Sequence, residues 1–368
     1  MHTQFTELDS PALLIEKSIL EKNISDMQAL MNKYNVRLRP HIKTHKMPCL
    51  AQKQIEAGAV GIACAKVTEA LVFAAAGIKD IQIANIIVGD KKFENLIKLM
   101  DNVDKLSSCV DSIENASLLA DYMAKNEKTI NVLIIVDCGY GRCGMDVYDK
   151  ILELAKYVQD SVSLNLLGIT THAGQAYSAS SGEERLTIAR HEGEFMIETA
   201  DKLKADGIEI NNITIGSNPT ARHSCRVPGV TEIRTGNYIF NDMIQVSLGT
   251  VGIEQCALTV LTQIISTPAV DRVILDAGSK SFSSDKGAHG NENLKGYGKI
   301  IGKEAVIEKL SEEHGIVKHN CGKFYIGERL RVIPNHACTT ANMFEKAYLV
   351  DGDNVLEEIN IDARGMIF

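Results

Sequence analysis

Short apolar or β-branched runs alternate with amphipathic stretches along the first two-thirds of the chain. The runs are VRLRPH (36–41), GIACA (61–65), IQIAN (81–85), LSSCV (106–110), NVLIIVD (131–137), LLGITTH (166–172), NNITIG (211–216) and EIRTG (232–236). Between them lie helical patterns such as KSILEKNISDMQALMNKY (17–34) and KVTEALVFAAAGI (66–78). In the second, Val67, Ala70, Leu71, Ala74 and Ala75 fall on one stripe, and Gly58 and Gly77 stand where helices should stop. About eight strands, each followed by a helix, is the α/β rhythm of a (β/α)8 TIM barrel. A doubly wound open sheet is the alternative, but the glycine-rich turn that often follows its first strand is missing. After about residue 246 the rhythm changes to short, turn-separated strand patterns: TVLTQIIST (259–267), DRVILDAG (271–278), GKIIGK (298–303) and RLRVIP (329–334). The pattern predicts a barrel over residues 8–246 and a β-rich C-terminal domain over 247–368, with residues 1–7 packing against the latter.

Composition narrows the classes. A chain of 368 residues with 45% hydrophobic and 23% charged residues can bury a large core. Its formal net charge of −8 argues against nucleic acid or an anionic membrane as the main partner. No apolar run approaches the ~20 residues of a membrane span, and the N-terminal MHTQFTELDSPALLIE lacks the basic start and apolar stretch of a signal peptide. A cytoplasmic protein is expected. The nine cysteines are scattered and do not suggest a disulfide framework.

The candidate chemistry begins with LRPHIKTHK (38–46). As an extended strand it would point Arg39, His41, Lys43 and His45 one way and Leu38, Pro40, Ile42 and Thr44 the other. Either the polar face is solvated, or it meets an anion or a carbonyl compound. In a barrel the active site lies at the carboxyl ends of the strands. Polar clusters fall at those ends: DCGYGRCG (137–144), THAGQAY (171–177), GSNPT (216–220) and RTGNY (234–238). The last two supply glycines, a hydroxyl and backbone N–H groups suited to a phosphate, although a Gly-Ser turn is often only a turn. A strand-end lysine can form a Schiff base with a carbonyl cofactor. Cationic neighbours Arg39, His41 and His45 would favour its neutral, nucleophilic form.

Six stretches together resemble one family: SPALLIE (10–16), RPHIKTHK (39–46), AKVTEA to ANIIVG (65–89), VDCGYGRCG (136–144), SEEHG (311–315) and PNHACTTAN (334–342). It is the D-threonine aldolase and D-serine dehydratase group of fold-type III pyridoxal-phosphate enzymes, relatives of alanine racemase. The resemblance runs through both domains. It implies that Lys43 holds pyridoxal 5'-phosphate covalently, that Arg142 hydrogen-bonds the cofactor's phenolic oxygen and that His172 stacks on its ring. It further implies phosphate binding by Ser217, Gly236 and Asn237, with Tyr238 a weaker candidate, and metal binding by His336 and Cys338. A homodimer is also implied.

A His-x-Cys spacing is by itself a weak metal signal; the family context strengthens it. Nitrogen with thiolate suits zinc better than magnesium or manganese, and two protein ligands leave positions for water or substrate. Aldolases of the family resemble one another in having aspartate where this chain has Cys338, and dehydratases have cysteine. The expected reaction is therefore loss of water from a D-3-hydroxy amino acid, D-serine or a 3-hydroxy-D-aspartate, giving a 2-oxo acid and ammonia. Retro-aldol cleavage to glycine and an aldehyde is the alternative. An amino-acid racemase would need a second base that the sequence does not reveal. A non-catalytic pyridoxal-phosphate carrier would have no use for the second domain.

Overall fold

A computed structural model describes residues 5–287, 293–320 and 322–368. The chain enters through β1 (Ala12–Glu16) and the helix Lys17–Lys33. Eight strands follow: β2 (Arg37–Leu38), β3 (Ile62–Cys64), β4 (Asp80–Ile86), β5 (Lys105–Val110), β6 (Ile130–Ile135), β7 (Leu164–Thr170), β8 (Ile213–Ile215) and β9 (Glu232–Ile233). They form one parallel sheet in the order β2-β9-β8-β7-β6-β5-β4-β3. Its two end strands meet through a His41–Ala63 bridge, with Ala63 N–H donating to Pro40 O (2.8 Å) and Val60 N–H to Leu38 O (3.0 Å). The sheet thus curls into a barrel.

Each strand coincides with one of the eight apolar runs. Strands covered on both faces need continuous apolar sequence, and β5 is buried from Leu106 through Val110. The intervening helices bury one stripe; Asp90–Met100 buries Phe93, Leu96 and Leu99 and carries Lys91, Glu94 and Lys98 outside as ion pairs. Among the described residues no helix is long and apolar enough to cross a membrane.

The second sheet is built from β10 (Leu258–Ala269), β11 (Arg272–Leu275), β12 (Lys299–Ile300), β13 (Ala305–Leu310), β14 (Gly315–His319), β15 (Arg329–Ile333), β16 (Lys346–Asp351) and β17 (Asn354–Asn360), together with β1. Because β10 pairs with both β15 and β11, six of these strands close into a largely antiparallel barrel. β1 departs from the expected domain span. It lies antiparallel to β10 (Leu13 opposite Val260) and parallel to β16 (Ile15 opposite Leu349), outside the first barrel. All five of its residues are buried, and the run Ala12–Ile15 shows no polar alternation to say which sheet it joins; Glu16 at its end pairs with Arg331 (3.3 Å) of the second sheet. Phe5 and Leu8 pack with it against Leu261 and Val350; residues 1–4 lie outside the described residues.

Candidate active site

Lys43 does not sit on a strand. After β2 the backbone reaches His41 and then winds into a 3-10 turn, Ile42–Thr44, with the N–H groups of His45 and Lys46 both donating to Ile42 O (3.1 and 2.9 Å). The turn breaks the alternation read from LRPHIKTHK. Arg39 points into the barrel, pairing with Asp80 (2.6 Å) and Glu232 (3.1 Å). His45 is buried edge-on to Phe73 and Phe240 and bonded to Gln54, and burial lowers its pKa to about 4. Of the four expected groups, His41 and Lys43 are the ones that face the carboxyl-end rim.

Solvent reaches the Lys43 side chain, yet protein closely surrounds it, and burial is the largest cause of its lowered pKa. Arg142 and Arg234 lower it further, against the pull of Cys338 and Glu69. The cations that act on Lys43 are therefore these two arginines, and not Arg39 or His45. His41 and His172 are pushed well below the ordinary histidine range by burial and then by Lys43, so both are neutral. His172 Nδ1 donates to Gly216 O (3.2 Å), which fixes its tautomer.

Arg142 rides on the DCGYGRCG loop, which the Asp137 carboxylate folds by accepting N–H bonds from Gly139, Tyr140 and Gly141 (2.8–3.0 Å). The guanidinium lies 5.2 Å from the Tyr140 ring centre, and that ring meets His172 edge-on at 5.8 Å. A Cβ at position 174 would come within 2.5 Å of the Tyr140 ring, so Gly174 is what lets the tyrosine lie there.

The two expected phosphate turns adjoin this cluster. Ser217 caps the short helix Asn218–Ser224, and its hydroxyl donates to Ala173 O (3.0 Å) beside His172. Gly236 passes so close to the Lys43 segment that a Cβ there would lie 2.5 Å from His41 O. Asn237 donates to Asp242 (2.6 Å) and leaves Oδ1 buried without a hydrogen bond. The Tyr238 side chain departs from the expectation: it is 1% exposed and its hydroxyl accepts from Gln54 (2.8 Å) in the core, so only its backbone is placed to serve the turn.

The second domain supplies His336 and Cys338. They are not on an extended segment; His336 caps the helix Ala337–Ala341, with Cys338 one position inside it and close enough to raise the His336 pKa. Cys338 Sγ lies 3.3 Å from Thr44 Oγ1, next to Lys43 in sequence. His336 Nδ1 contacts Asp285 at 2.8 Å. Burial alone would lower the His336 pKa, but Cys338, Asp285 and Asp242 overcome it and push it up to about 10. This corner attracts positive charge. Among the described residues no three His, Cys, Asp or Glu side chains form a closed metal cage.

Four contributors were not singled out from sequence. Arg234 donates to Thr170 Oγ1 (2.5 Å) and Thr171 O (3.0 Å) beneath the rim. Asp242 accepts from Asn237, from Ala337 N–H (2.9 Å) and from Gln245 N–H (3.1 Å), tying the barrel turn to the His336 helix. Asp285 orients His336, and Glu192 lies under the Ser217 turn. Arg234 was readable as a strand-end cation two residues before Gly236; the carboxylates carried no local signal.

A lysine whose pKa is lowered by burial, among two guanidiniums and beside backbone that only glycine permits, fits an anionic, phosphate-bearing aldehyde. The comparisons agree. The alanine racemase N-terminal domain family matches residues 15–243, and the putative serine dehydratase domain family matches residues 257–350. D-threonine aldolase from Arthrobacter sp is 35% identical over 370 residues, covering 97% of this chain and 93% of that protein. D-threo-3-hydroxyaspartate dehydratase from Delftia sp. (strain HT23) is 32% identical over 372 residues, covering 96% and 97%. The solved structure of a cysteine-to-alanine mutant of D-threo-3-hydroxyaspartate dehydratase, in the metal-free form, matches with a TM-score of 0.91 and 31% identity over 97% of this chain and 98% of that one. The chain belongs to the alanine racemase-like, fold-type III family of pyridoxal-phosphate enzymes, in its D-serine dehydratase and D-threonine aldolase branch of lyases.

Proposed function

We propose that this lyase removes water from a D-3-hydroxy amino acid, D-serine or a 3-hydroxy-D-aspartate, releasing a 2-oxo acid and ammonia. The observation that carries the reading is Cys338, a soft ligand two residues after His336 and 3.3 Å from the Thr44 hydroxyl of the Lys43 turn. Lys43 would hold pyridoxal 5'-phosphate, with Arg142 at its phenolic oxygen, His172 against its ring, and Ser217, Gly236, Asn237 and the Tyr238 backbone around its phosphate. Bound there, the cofactor supplies an electron sink. Lys43 Nζ, poised toward its neutral form, takes the Cα proton as general base. Arg142 and Arg234 hold negative charge at the rim. The neutral His172 stays fixed by its bond to Gly216 O.

His336 and Cys338 would bind zinc, which supplies Lewis acidity at the β-hydroxyl. The Asp285–His336 contact supports this, because metal-binding histidines commonly give their second nitrogen to a carboxylate. The metal-free cysteine mutant of the dehydratase relative points the same way. The aldolase reading has its own support in the Arthrobacter relative, and both chemistries use the same groups. A panel of D-amino acids with separate assays for ammonia and for aldehyde or glyoxylate decides between them. Ammonia as the main product upholds dehydration, and aldehyde or glyoxylate with negligible ammonia overturns it. The reading includes a homodimer, which sedimentation would test.

A further inference from the structure

Glu192, on the helix Gly182–Ala205, has no exposed surface. A carboxylate at that depth is costly unless donors surround it. Oε1 accepts the N–H groups of Ala173 (3.2 Å) and Gly216 (3.0 Å). Oε2 accepts the hydroxyls of Thr220 (2.7 Å) and Ser224 (2.8 Å). Burial raises its pKa and these four bonds oppose the rise. The donors are the residue after His172, the glycine before Ser217, and two positions on the helix that Ser217 caps. Two further bonds close the same network: Ser217 Oγ to Ala173 O (3.0 Å) and His172 Nδ1 to Gly216 O (3.2 Å). One acceptor-only group therefore fixes the spacing between the His172 loop and the Ser217 turn.

We propose that Glu192 is a positioning residue for the cofactor's phosphate, holding the Ser217 turn in the geometry that receives it. The inference rests on the pyridoxal-phosphate reading and assigns this carboxylate a task toward one part of that ligand. Four donors converge on two oxygens. A leucine keeps much of the bulk but removes both acceptors: the Thr220 and Ser224 hydroxyls can turn to nearby carbonyls, but the buried Ala173 and Gly216 N–H groups lose their partner, so the turn must shift.

The test compares pyridoxal phosphate with pyridoxal, which lacks the phosphate, by fluorescence titration of the cofactor-stripped protein. Glu192→Leu should weaken pyridoxal phosphate by at least about tenfold, as expected when buried donors lose their acceptor, and leave pyridoxal nearly unchanged. At saturating cofactor, kcat should return toward the parent's. Ser224→Ala deletes one donor to the carboxylate and should shift the same ratio in the same direction, by less; it decides alone should Glu192→Leu fail to fold. A parental ratio in the folded variants, or an equal loss for both ligands, overturns the proposal. A parent that binds neither ligand, or does not prefer the phosphate ester, overturns the cofactor reading instead.

Discussion

The two ends of the first barrel handle charge in opposite ways, and β2 feeds both. At the amino end, Arg39 meets Asp80 at 2.6 Å and Glu232 at 3.1 Å, with Arg37 3.8 Å from the same Glu232. These residues line a cavity of about 580 Å³ with Gln82, Asn131 and Asn212. The carboxylates outweigh burial, and the Arg39 pKa rises. Four residues on, at the carboxyl end, Lys43 faces Arg142, Arg234, His41 and His172. Burial dominates there, and the pKa values of Lys43, His41, His172 and Arg234 all fall. Charges that only hold shape are matched within the protein. Charges left unmatched at the rim are suited to an anionic ligand.

Substitutions at the two ends should break in opposite ways. Lys43→Ala should lower turnover by about a thousandfold or more, since it removes both the anchor and the base, while the melting temperature of the cofactor-free protein stays close to the parent's. Borohydride treatment of the parent should fix the cofactor to the peptide spanning 39–46; label on another lysine would sink the assignment. Arg39→Ala should do the reverse. Leaving Asp80 without a cation and Glu232 with only Arg37 at 3.8 Å should cost roughly 3–5 kcal/mol in denaturant unfolding, with turnover per folded molecule retained.

The His336–Cys338 corner, proposed to hold a metal, sharpens the rim's side of the contrast. Chelation, or His336→Ala, should cut ammonia release by roughly a hundredfold or more, the scale of several kcal/mol of Lewis-acid assistance. The yellow colour should persist if, as proposed, Lys43 and the turns near Ser217 and Gly236 hold the cofactor independently of the metal. About one zinc per chain by elemental analysis is the expected content, and readdition should restore activity. Cys338→Asp swaps a soft ligand for a hard one, moving metal preference toward manganese or magnesium and admitting some aldol cleavage. Loss of colour on chelation would show that the two sites are not independent.

What was legible in the sequence follows from the range of the interactions involved. The eight barrel strands could be read because buried parallel strands need unbroken apolar runs, and each run became a strand. Lys43, His172 and Ser217 stood out because they fall just after strands, next to turn-forming residues, and the family motifs supplied the roles proposed for them. The 3-10 turn at Ile42–Thr44 could not, since its neighbours have the alternation of a strand; Arg39 and His45 were therefore assigned to the wrong surroundings. β1 is apolar from Ala12 to Ile15 and matches either sheet, and its one charged residue, Glu16, finds its partner in distant Arg331. Asp242, Asp285 and Glu192 act through partners as distant in sequence as Ala337, His336 and Gly216, so no local pattern marks them.

A smaller effect concerns Arg142. Its guanidinium disfavours the protonated lysine, so Arg142→Ala should raise the pH at which Lys43 in the cofactor-free protein becomes reactive, read by reductive methylation and peptide mass spectrometry across pH. Arg39→Ala, at the other end, should leave that midpoint in place. A shift with Arg39→Ala and none with Arg142→Ala would reverse the assignment of which cations act on the lysine.

The smallest effect is in stability, and its sign separates the two ends most sharply. The Lys43 pKa is lower in the folded protein than its ordinary 10.5. Between that lowered value and 10.5 the unfolded chain binds more protons, so stability rises with pH across this window. Below it the penalty for enclosing the charged amine is present in full. Lys43→Met should therefore raise the melting temperature of the cofactor-free protein slightly at neutral pH, and the gain should fade as pH climbs toward 10.5. With pyridoxal phosphate added the order should invert, because the ligand stabilises the form it binds best and only the parent can hold it covalently. The matched end allows no such gain, since Arg39→Met leaves Asp80 without a cation and Glu232 with only Arg37. Equal loss of stability for Lys43→Met and Arg39→Met would mean that the lysine is a structural partner like the arginine, and that the rim carries no unmatched charge.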